Sequence, residues 1–519
     1  MTTTALPDAA TSAARPAAKM PRQIPYIIGN EGCERFSFYG MRNILTVFMM
    51  TSLLLAIPED LRKAEAKEVF HTFVIGVYFF PLLGGWLADR FFGKYPTIFW
   101  LSLVYCAGHA CLAVFENNIK GFYFGLFLIS LGSGGIKPLV TSFVGDQFDK
   151  SNRSLAQKVY DAFYWIINFG SFFASLLMPV ILKNYGASVA FGLPGILMGL
   201  ATLILWSGRK KYVHQPPRGA NPHSFMWVVW TALKAGGLGM GVAALGLLLA
   251  AFSLSQMASL GVVASVCLAL VLVMGFGGVG ASLQLDRARG IHPDEAVDGV
   301  RSVLRVLVLF ALVTPFWSLF DQKASTWVLQ ADQMAKPEWF QSSMMQALNP
   351  LLVMILIPFN NLVLYPLLER AGLRVTPLRR MGAGIALAGF AWITAGMLQL
   401  WLDAGDPVTI VWQVLPYALL TLGEVLVSAT GLEFAYSQAP QSMKGTIMAF
   451  WSLSVTVGNL WVLLSNVSIK SPGALAAIKS SGYSETACLM FFFAGFALVA
   501  ALLFALVARR YPMLNNYRD

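Results

Sequence analysis

The sequence predicts an all-α integral membrane fold: two six-helix bundles, an inserted two-helix hairpin between them, and about 14 transmembrane helices in all. Three observations predict it. Of 519 residues, 57% are hydrophobic and only 12% charged, about half the charge of an ordinary soluble domain. Apolar runs recur along the whole chain, each near the roughly 20 residues that carry a helix across a bilayer core of about 30 Å. These runs are continuous rather than alternating, which selects helices over a closed barrel. The cations sit in alternate loops: Arg90 and Lys94; Lys150, Arg153 and Lys158; Arg209, Lys210, Lys211 and Arg218; Arg287 and Arg289; Arg370, Arg374, Arg379 and Arg380; Arg509 and Arg510. By the positive-inside bias those loops and both termini face the cytoplasm, and the helix count is even. The net charge of +11 therefore reports topology, and no nucleic-acid partner is expected.

In chain order, residues 1–23 lack the apolar core of a signal peptide and read as a disordered cytoplasmic tail. The first bundle occupies 24–207, with spans at 24–54, 70–88, 96–115, 121–145, 160–181 and 188–207. A basic, Pro-containing cytoplasmic linker (208–223) leads to the Gly-rich apolar hairpin at 224–285, and a charged linker (286–305) follows. The second bundle occupies 306–508, with spans near 306–329, 345–367, 381–402, 409–435, 446–466 and 486–508, and 509–519 is a cytoplasmic tail. Two six-helix halves joined in the cytoplasm is the arrangement of the major facilitator fold. A local repeat supports it: "LGGWLADRFFGKYPTI" (83–98) and "YPLLERAGLRVTPLRRMG" (365–382) both place an acid–Arg pair, a glycine and further cations in the turn between second and third spans. Asp89 and Arg90 either lock helix ends there or form a solvated turn. The five cysteines, Cys33, Cys106, Cys111, Cys267 and Cys488, are odd in number, lie mostly in apolar spans and form no CxxC pair, so they read as packing residues rather than disulfides or metal ligands.

The first span contains what a lipid-facing helix excludes. At about 100° per residue, Glu31, Glu34, Arg35, Tyr39 and Arg42 fall on one face. Each charge at the bilayer centre costs about 2.5–3.5 kcal/mol, so four approach roughly 10 kcal/mol if unpaired. That face must look into a bundle interior or a wet cavity, where ionisable groups mark substrate and proton paths. Other spans repeat the anomaly: Lys137 in "LGSGGIKPLV", Asp321 in "LFDQKASTW" and Glu424 in "LTLGEVLVSATG". Asn168, Asn349, Asn361, Tyr78, Trp317 and Trp451 add polar and aromatic groups at membrane depth. The set divides by charge, with Arg35, Arg42 and Lys137 in the first half and Asp321 and Glu424 in the second. One central cavity with a cationic and an anionic wall suits a zwitterion.

These motifs resemble the proton-dependent oligopeptide transporters, the peptide transporter branch of the major facilitator superfamily. "EGCERFSFYG" is similar to the family's ExxERF signature, "GGIKP" and "FYWIINFGS" to those of its fourth and fifth helices, and "GEVLVSATGLEFAYSQAP" to that of its tenth. The hairpin resembles the helix pair inserted by bacterial members. The resemblance implies proton-coupled import of dipeptides and tripeptides, in the cell membrane, by a monomer that needs no cofactor and whose partners are peptides, protons and lipid. It implies that Arg35, Arg42 and Lys137 attract the peptide carboxylate, that Asn168, Tyr39, Tyr78 and Asn349 bond the peptide backbone, and that Glu424 holds the amino terminus. Trp317 and Trp451, with Ser428 nearby, line side-chain pockets. Glu31 and Glu34 carry protons beside Arg35, Arg42–Asp321 forms an outer gate, and Lys137–Glu424 forms a second interdomain pair. "FHTFVIGVYFFP" resembles the animal branch, in which a histidine at the position of His71 acts in coupling; a helix-end histidine without a role is the alternative.

The sequence departs from the family at Ser37 and Phe38, where tyrosines are common, and at Asn361, where animal members carry an acid. A carrier of nitrate or another small solute on the same fold is the second functional reading. A membrane enzyme is not indicated, because no HExxH, GxSxG or CxxC site is present.

Overall fold

The computed structural model describes residues 19–512 except 149–151, 153, 154, 218, 220, 439, 441 and 442. Expectations for residues 1–18 and 513–519, for Lys150, Arg153 and Arg218, and for the Lys158 side chain lie outside the described residues.

The first half runs α1 (Ile24–Phe48), α2 (Glu59–Phe79), α3 (Pro81–Leu87), α4 (Lys94–Val114), α5 (Ile119–Asp146) and α6 (Ala156–Ser207). Next come α7 (Phe225–Lys234), α8 (Leu238–Ser255), α9 (Met257–Leu260) and α10 (Val262–Leu283). The second half runs α11 (Asp294–Asp321), α12 (Thr326–Gln333), α13 (Leu348–Phe359), α14 (Tyr365–Arg370), α15 (Pro377–Asp403), α16 (Val414–Gln438), α17 (Lys444–Ile469), α18 (Pro472–Ser481) and α19 (Glu485–Arg509).

Although α6 runs on without interruption, it makes two passes. Gly32 of α1 faces Ile166 and Gly40 faces Met178, so this part of α6 climbs alongside α1. Gly29, by contrast, faces Ile204, and Ser37 bonds the Pro194 carbonyl, so the second part descends. The reversal falls at Gly186, whose φ of 82° is open to glycine and strained for other residues. Among the described residues, twelve helices are long and apolar enough to cross a membrane, with 162–207 counted once. Splitting that stretch and adding α1, which carries Glu31, Glu34, Arg35 and Arg42 and is not among the twelve, gives fourteen crossings.

Each half buries its own core, the first around Phe48, Phe122 and Phe191, the second around Trp327, Trp392 and Phe493. Tyr78 of α2 packs on both. The repeat between halves is visible in the turns after the second span: each holds a π turn (Ala88–Phe92, Asn360–Leu364) and then a left-handed glycine, Gly93 at φ 79° and Gly372 at φ 80°. Asp89 and Arg90 are exposed and form no ion pair among the described residues; Lys94 pairs with Asp146 at 2.7 Å instead.

The stretch between the halves differs from expectation. The segment 224–285 is a short helix, α7, followed by the hairpin α8–α10. The charged linker 286–305 is helical from Asp294, because Val297, Val300, Val303 and Leu304 make an apolar stripe that buries against Phe225, Val228 and Ala232 of α7. The hairpin leans on both halves through Ala264 and Cys267, which pack with Ile75 of α2 and Leu460 and Leu463 of α17.

Candidate functional site

The end of the molecule where α1 begins and α19 finishes is the terminal end; the opposite end is the far end. Near the middle of α1, Arg35 donates from Nε to Glu31 at 2.5 Å, and the same nitrogen lies 3.2 Å from Glu34. That single N–H serves Glu31, so Glu34 is left with a long bond from Ser133 at 3.4 Å. All three side chains are nearly buried, as the cost of exposing them to lipid requires.

Two turns further on, Arg42 donates to Asp321 of α11 at 2.7 Å. The other oxygen of Asp321 accepts from Asn459 at 2.8 Å, and the Asn459 carbonyl meets Nδ1 of His71 at 2.6 Å. An amide oxygen can only accept, so His71 carries its proton on Nδ1, and Nε2 accepts from Ser325 at 3.0 Å. His71 is fully buried and joins α2 to α17 through Asn459 and to the turn before α12 through Ser325.

The second half holds a group the charge division left out. Lys323, two residues after Asp321, is buried, lies 3.1 Å above the Phe320 ring and donates to Asn349 Oδ1 at 2.9 Å. The Asn349 amide donates in turn to Glu424 at 2.5 Å and to Thr421 at 3.1 Å. The expectation of an all-anionic second wall is thus corrected: Glu424 is compensated within its own half by Lys323, through Asn349. Lys137 and Glu424 do not meet. The Lys137 ammonium sits 3.3 Å from the centre of the Phe38 ring and 5.6 Å from that of Tyr78, a cation held by aromatic faces and in no ion pair among the described residues.

The remaining predicted residues surround this cluster. Tyr39 is half-buried, in electrostatic reach of Arg35 and Arg42 and, across the interface, of Glu424. The Asn168 amide bonds back to the Tyr164 carbonyl at 3.0 Å. Trp317 and Trp451 meet edge to face at 5.8 Å. Gly431 makes room for them, since a Cβ there would stand 2.1 Å from the Trp451 ring. Ser428, half-buried, lies between Glu424 and that patch along α16. Asn361 is exposed, whereas its neighbour Asn360 is buried. A groove of about 970 Å³ between α15 and α19, lined by residues such as Leu378, Phe390 and Leu502, holds none of these groups.

Lys323, Asn459 and Ser325 were not singled out from the sequence. Lys323 carried a usable signal, a charge in an apolar run, and the reasoning that found Asp321 applies to it unchanged. Asn459 and Ser325 carried none, because single small polar residues are common in membrane helices.

Two six-helix halves meeting at a mid-membrane cluster of charges define a multi-pass membrane protein of the major facilitator class. The model of the POT family matches residues 95–471, and the chain belongs to that family. The matched range excludes α1 and His71. A model described as MFS/sugar transport protein matches 7–167. Solute carrier family 15 member 2 of Rattus norvegicus is 33% identical over 401 residues, 73% of this chain and 49% of that protein. Peptide transporter 3 of Caenorhabditis elegans is 32% identical over 404 residues, 73% of this chain and 51% of that one. The chain spans about half the length of the curated relatives it matches. Among solved structures, the POT family transporter PepTSo is 68% identical with a TM-score of 0.94, covering 96% of this chain and all of that one. An auto inhibited POT family peptide transporter is 63% identical, also with a TM-score of 0.94, covering 96% of this chain and 99% of that one.

Proposed function

We propose that this protein is a proton-coupled symporter that imports dipeptides and tripeptides by alternating access. It lies in the cell membrane with both termini cytoplasmic, and works as a monomer without a cofactor. The observation that carries the reading is a pair of half-buried, opposite charges, Lys137 on the first half and Glu424 on the second, in a chain whose relatives are named peptide transporters.

With the far end held by Arg42–Asp321, the site faces the cytoplasm. Arg42 and Arg35 are engaged, which leaves Lys137 as the cation free to take a peptide carboxylate. The peptide ammonium competes with Lys323 for Glu424. Tyr39, Tyr78, Asn168 and Asn349 offer hydrogen bonds to the backbone between them, and Trp317, Trp451 and Ser428 border the side chains. Coupling runs through Arg35: drawn toward the peptide carboxylate, it leaves Glu31 and Glu34 without their cation, and a poorly solvated carboxylate that loses its cation takes up a proton. The His71–Asn459–Asp321 array ties the same event to the far-end gate. One proton moving down about 100 mV supplies about 2.3 kcal/mol, enough for roughly fifty-fold accumulation of a neutral zwitterion.

The test is uptake of dialanine by proteoliposomes under an imposed pH gradient and potential. Glu34→Gln and Glu31→Gln abolish gradient-driven accumulation and spare exchange of peptide for peptide. If both variants still concentrate dialanine, the proton assignment fails; if wild-type protein moves nitrate and not dialanine, the substrate assignment fails.

A further inference from the structure

The groove between α15 and α19 holds none of the transport residues, yet its chemistry changes in order along its length. The two helices run antiparallel in a register that glycines report. A Cβ at Gly396 would stand 2.9 Å from the Phe491 ring, one at Gly389 2.8 Å from Leu498 and one at Gly382 3.4 Å from the Phe504 ring. Arg379, near the start of α15, is therefore level with Arg509 at the end of α19. Between that level and Phe390 the lining positions carry short side chains, Ala383 and Ala386 on α15 and Ala501, Ala505 and Ala508 on α19. A groove of about 970 Å³ stays open beside the glycine contact, walled by Leu498, Leu502 and Phe390.

From Arg379 to Phe390 the groove runs about 16 Å at roughly 1.5 Å per residue, about half of a bilayer core of about 30 Å. That is the depth of one leaflet. The deep part is apolar, and the mouth at the terminal end is bordered by Arg379, Arg509 and Tyr511. Both arginines are exposed. Arg379 donates to the Arg374 carbonyl at 3.1 Å, and neither guanidinium has a carboxylate partner among the described residues. Arg289 and Arg301 of the same end, by contrast, are paired with Asp286 and Asp298. The start of α15 adds its partial positive charge to the mouth.

Any acyl chain of the bilayer fits an apolar groove, so the walls alone select nothing. Two unpaired cations at headgroup depth do select, because a basic pocket between membrane helices favours an anionic lipid head and an arginine fork offers a phosphate two parallel hydrogen bonds. We propose that the groove is a binding site for an anionic phospholipid, with an acyl chain lying along α15 and α19 and the phosphate held between Arg379 and Arg509. The site does not depend on the transport reading above.

The test is native mass spectrometry of the full chain in detergent, titrated with phosphatidylglycerol and, separately, with phosphatidylcholine of the same acyl chains. The first phosphatidylglycerol binds roughly thirtyfold tighter than the first phosphatidylcholine, about fivefold for each arginine. The preference falls to about fivefold in Arg509→Gln, disappears when Arg379→Gln is added, and returns in part in the Arg379→Lys, Arg509→Lys double variant. Ala505→Trp, at an exposed position, fills the groove while leaving both arginines, and it too removes the tight phosphatidylglycerol. Arg209→Gln, at the same end but stacked on Trp206 at 3.7 Å, keeps the full preference. Wild-type protein without a preference overturns the proposal, as does a preference that survives the double glutamine variant or is lost in Arg209→Gln. A preference that survives Ala505→Trp overturns it by showing surface charge alone at work, and a lysine double variant no better than the glutamine one removes the role of charge. A wild-type dimer abolished by Ala505→Trp would make a second copy of this chain the occupant, and also overturns it. Should Arg379→Gln disturb the start of α15, Arg509→Gln and Ala505→Trp carry the test.

Discussion

The two ends of the interface are built from the same materials and stand in opposite states. At the far end, bonds cross between the halves: Arg42 to Asp321, His71 to Asn459 and Ser325, Thr46 to the Ala324 carbonyl, Gln346 to the Asn43 carbonyl and Lys183 to the Glu338 carbonyl. Toward the terminal end, a comparable lysine and glutamate, Lys137 and Glu424, are each satisfied within their own half, by aromatic faces and by Asn349 with Lys323. The contrast shows that charge complementarity alone does not close an end; what matters is whether each charge has a competing partner at home. Asp321 has no cation of its own half bonded to it, so it takes Arg42. Glu424 has Lys323 and does not reach across.

Breaking the closed end has the largest expected effect. Asp321→Ala leaves Arg42 buried without its anion, and removing one partner of a buried pair costs about 3–5 kcal/mol. The variant melts at lower temperature in detergent, and spin labels across the far end move apart. Next, Glu424→Ala weakens dialanine binding by about 1.5–3 kcal/mol, or tenfold to a hundredfold, and weakens an analogue without the amino group far less; equal losses in a calorimetric comparison would remove its amino-terminal role. Third, Lys323→Met takes away the competitor, so preference for dialanine over that analogue rises by about 1 kcal/mol, roughly fivefold. The smallest effect lies at the terminal end, where His292 bonds His223 at 3.0 Å and Thr231 at 2.8 Å and ties α7 to the linker. Burial and the neighbouring His223 hold His292 below the ordinary histidine range. Its neutral form is the one the fold favours, so the tie is intact above about pH 6.5 and weakens as pH falls toward the folded value. Amides of α7 therefore exchange less than about threefold faster at pH 5.5 than at 7.5 after intrinsic correction, and His292→Asn abolishes the difference.

Much of this comparison was legible in the sequence, because a charge in an apolar span is costly and stands out. Glu31, Glu34, Arg35, Arg42, Lys137, Asp321 and Glu424 all declared themselves that way, and the two-half organisation followed from the loop cations and the paired turns. What stayed hidden depends on three-dimensional neighbours. That Lys137 meets the Phe38 ring and not Glu424 is set by packing that no local sequence pattern displays. The contacts of Asn459 and Ser325 arise only when α2, α17 and the turn before α12 are brought together. The helical linker was masked by its charges, Arg289 and Arg301 pairing with Asp286 and Asp298 around an apolar stripe that reads clearly once α7 is known to cover it.

The central claim is that the two ends exchange states, Lys137–Glu424 forming as Arg42–Asp321 parts. Pulsed electron spin resonance tests it most directly, with labels at Lys183 and Glu338 across the far end and at Thr141 and Gly445 across the terminal end, in liposomes at low pH with and without dialanine. The account predicts that peptide shortens the terminal-end distance while the far-end distance lengthens, and that Lys137→Gln suppresses both changes together. Distances that move in the same direction at the two ends, or a terminal end that closes equally well in Lys137→Gln, would contradict it.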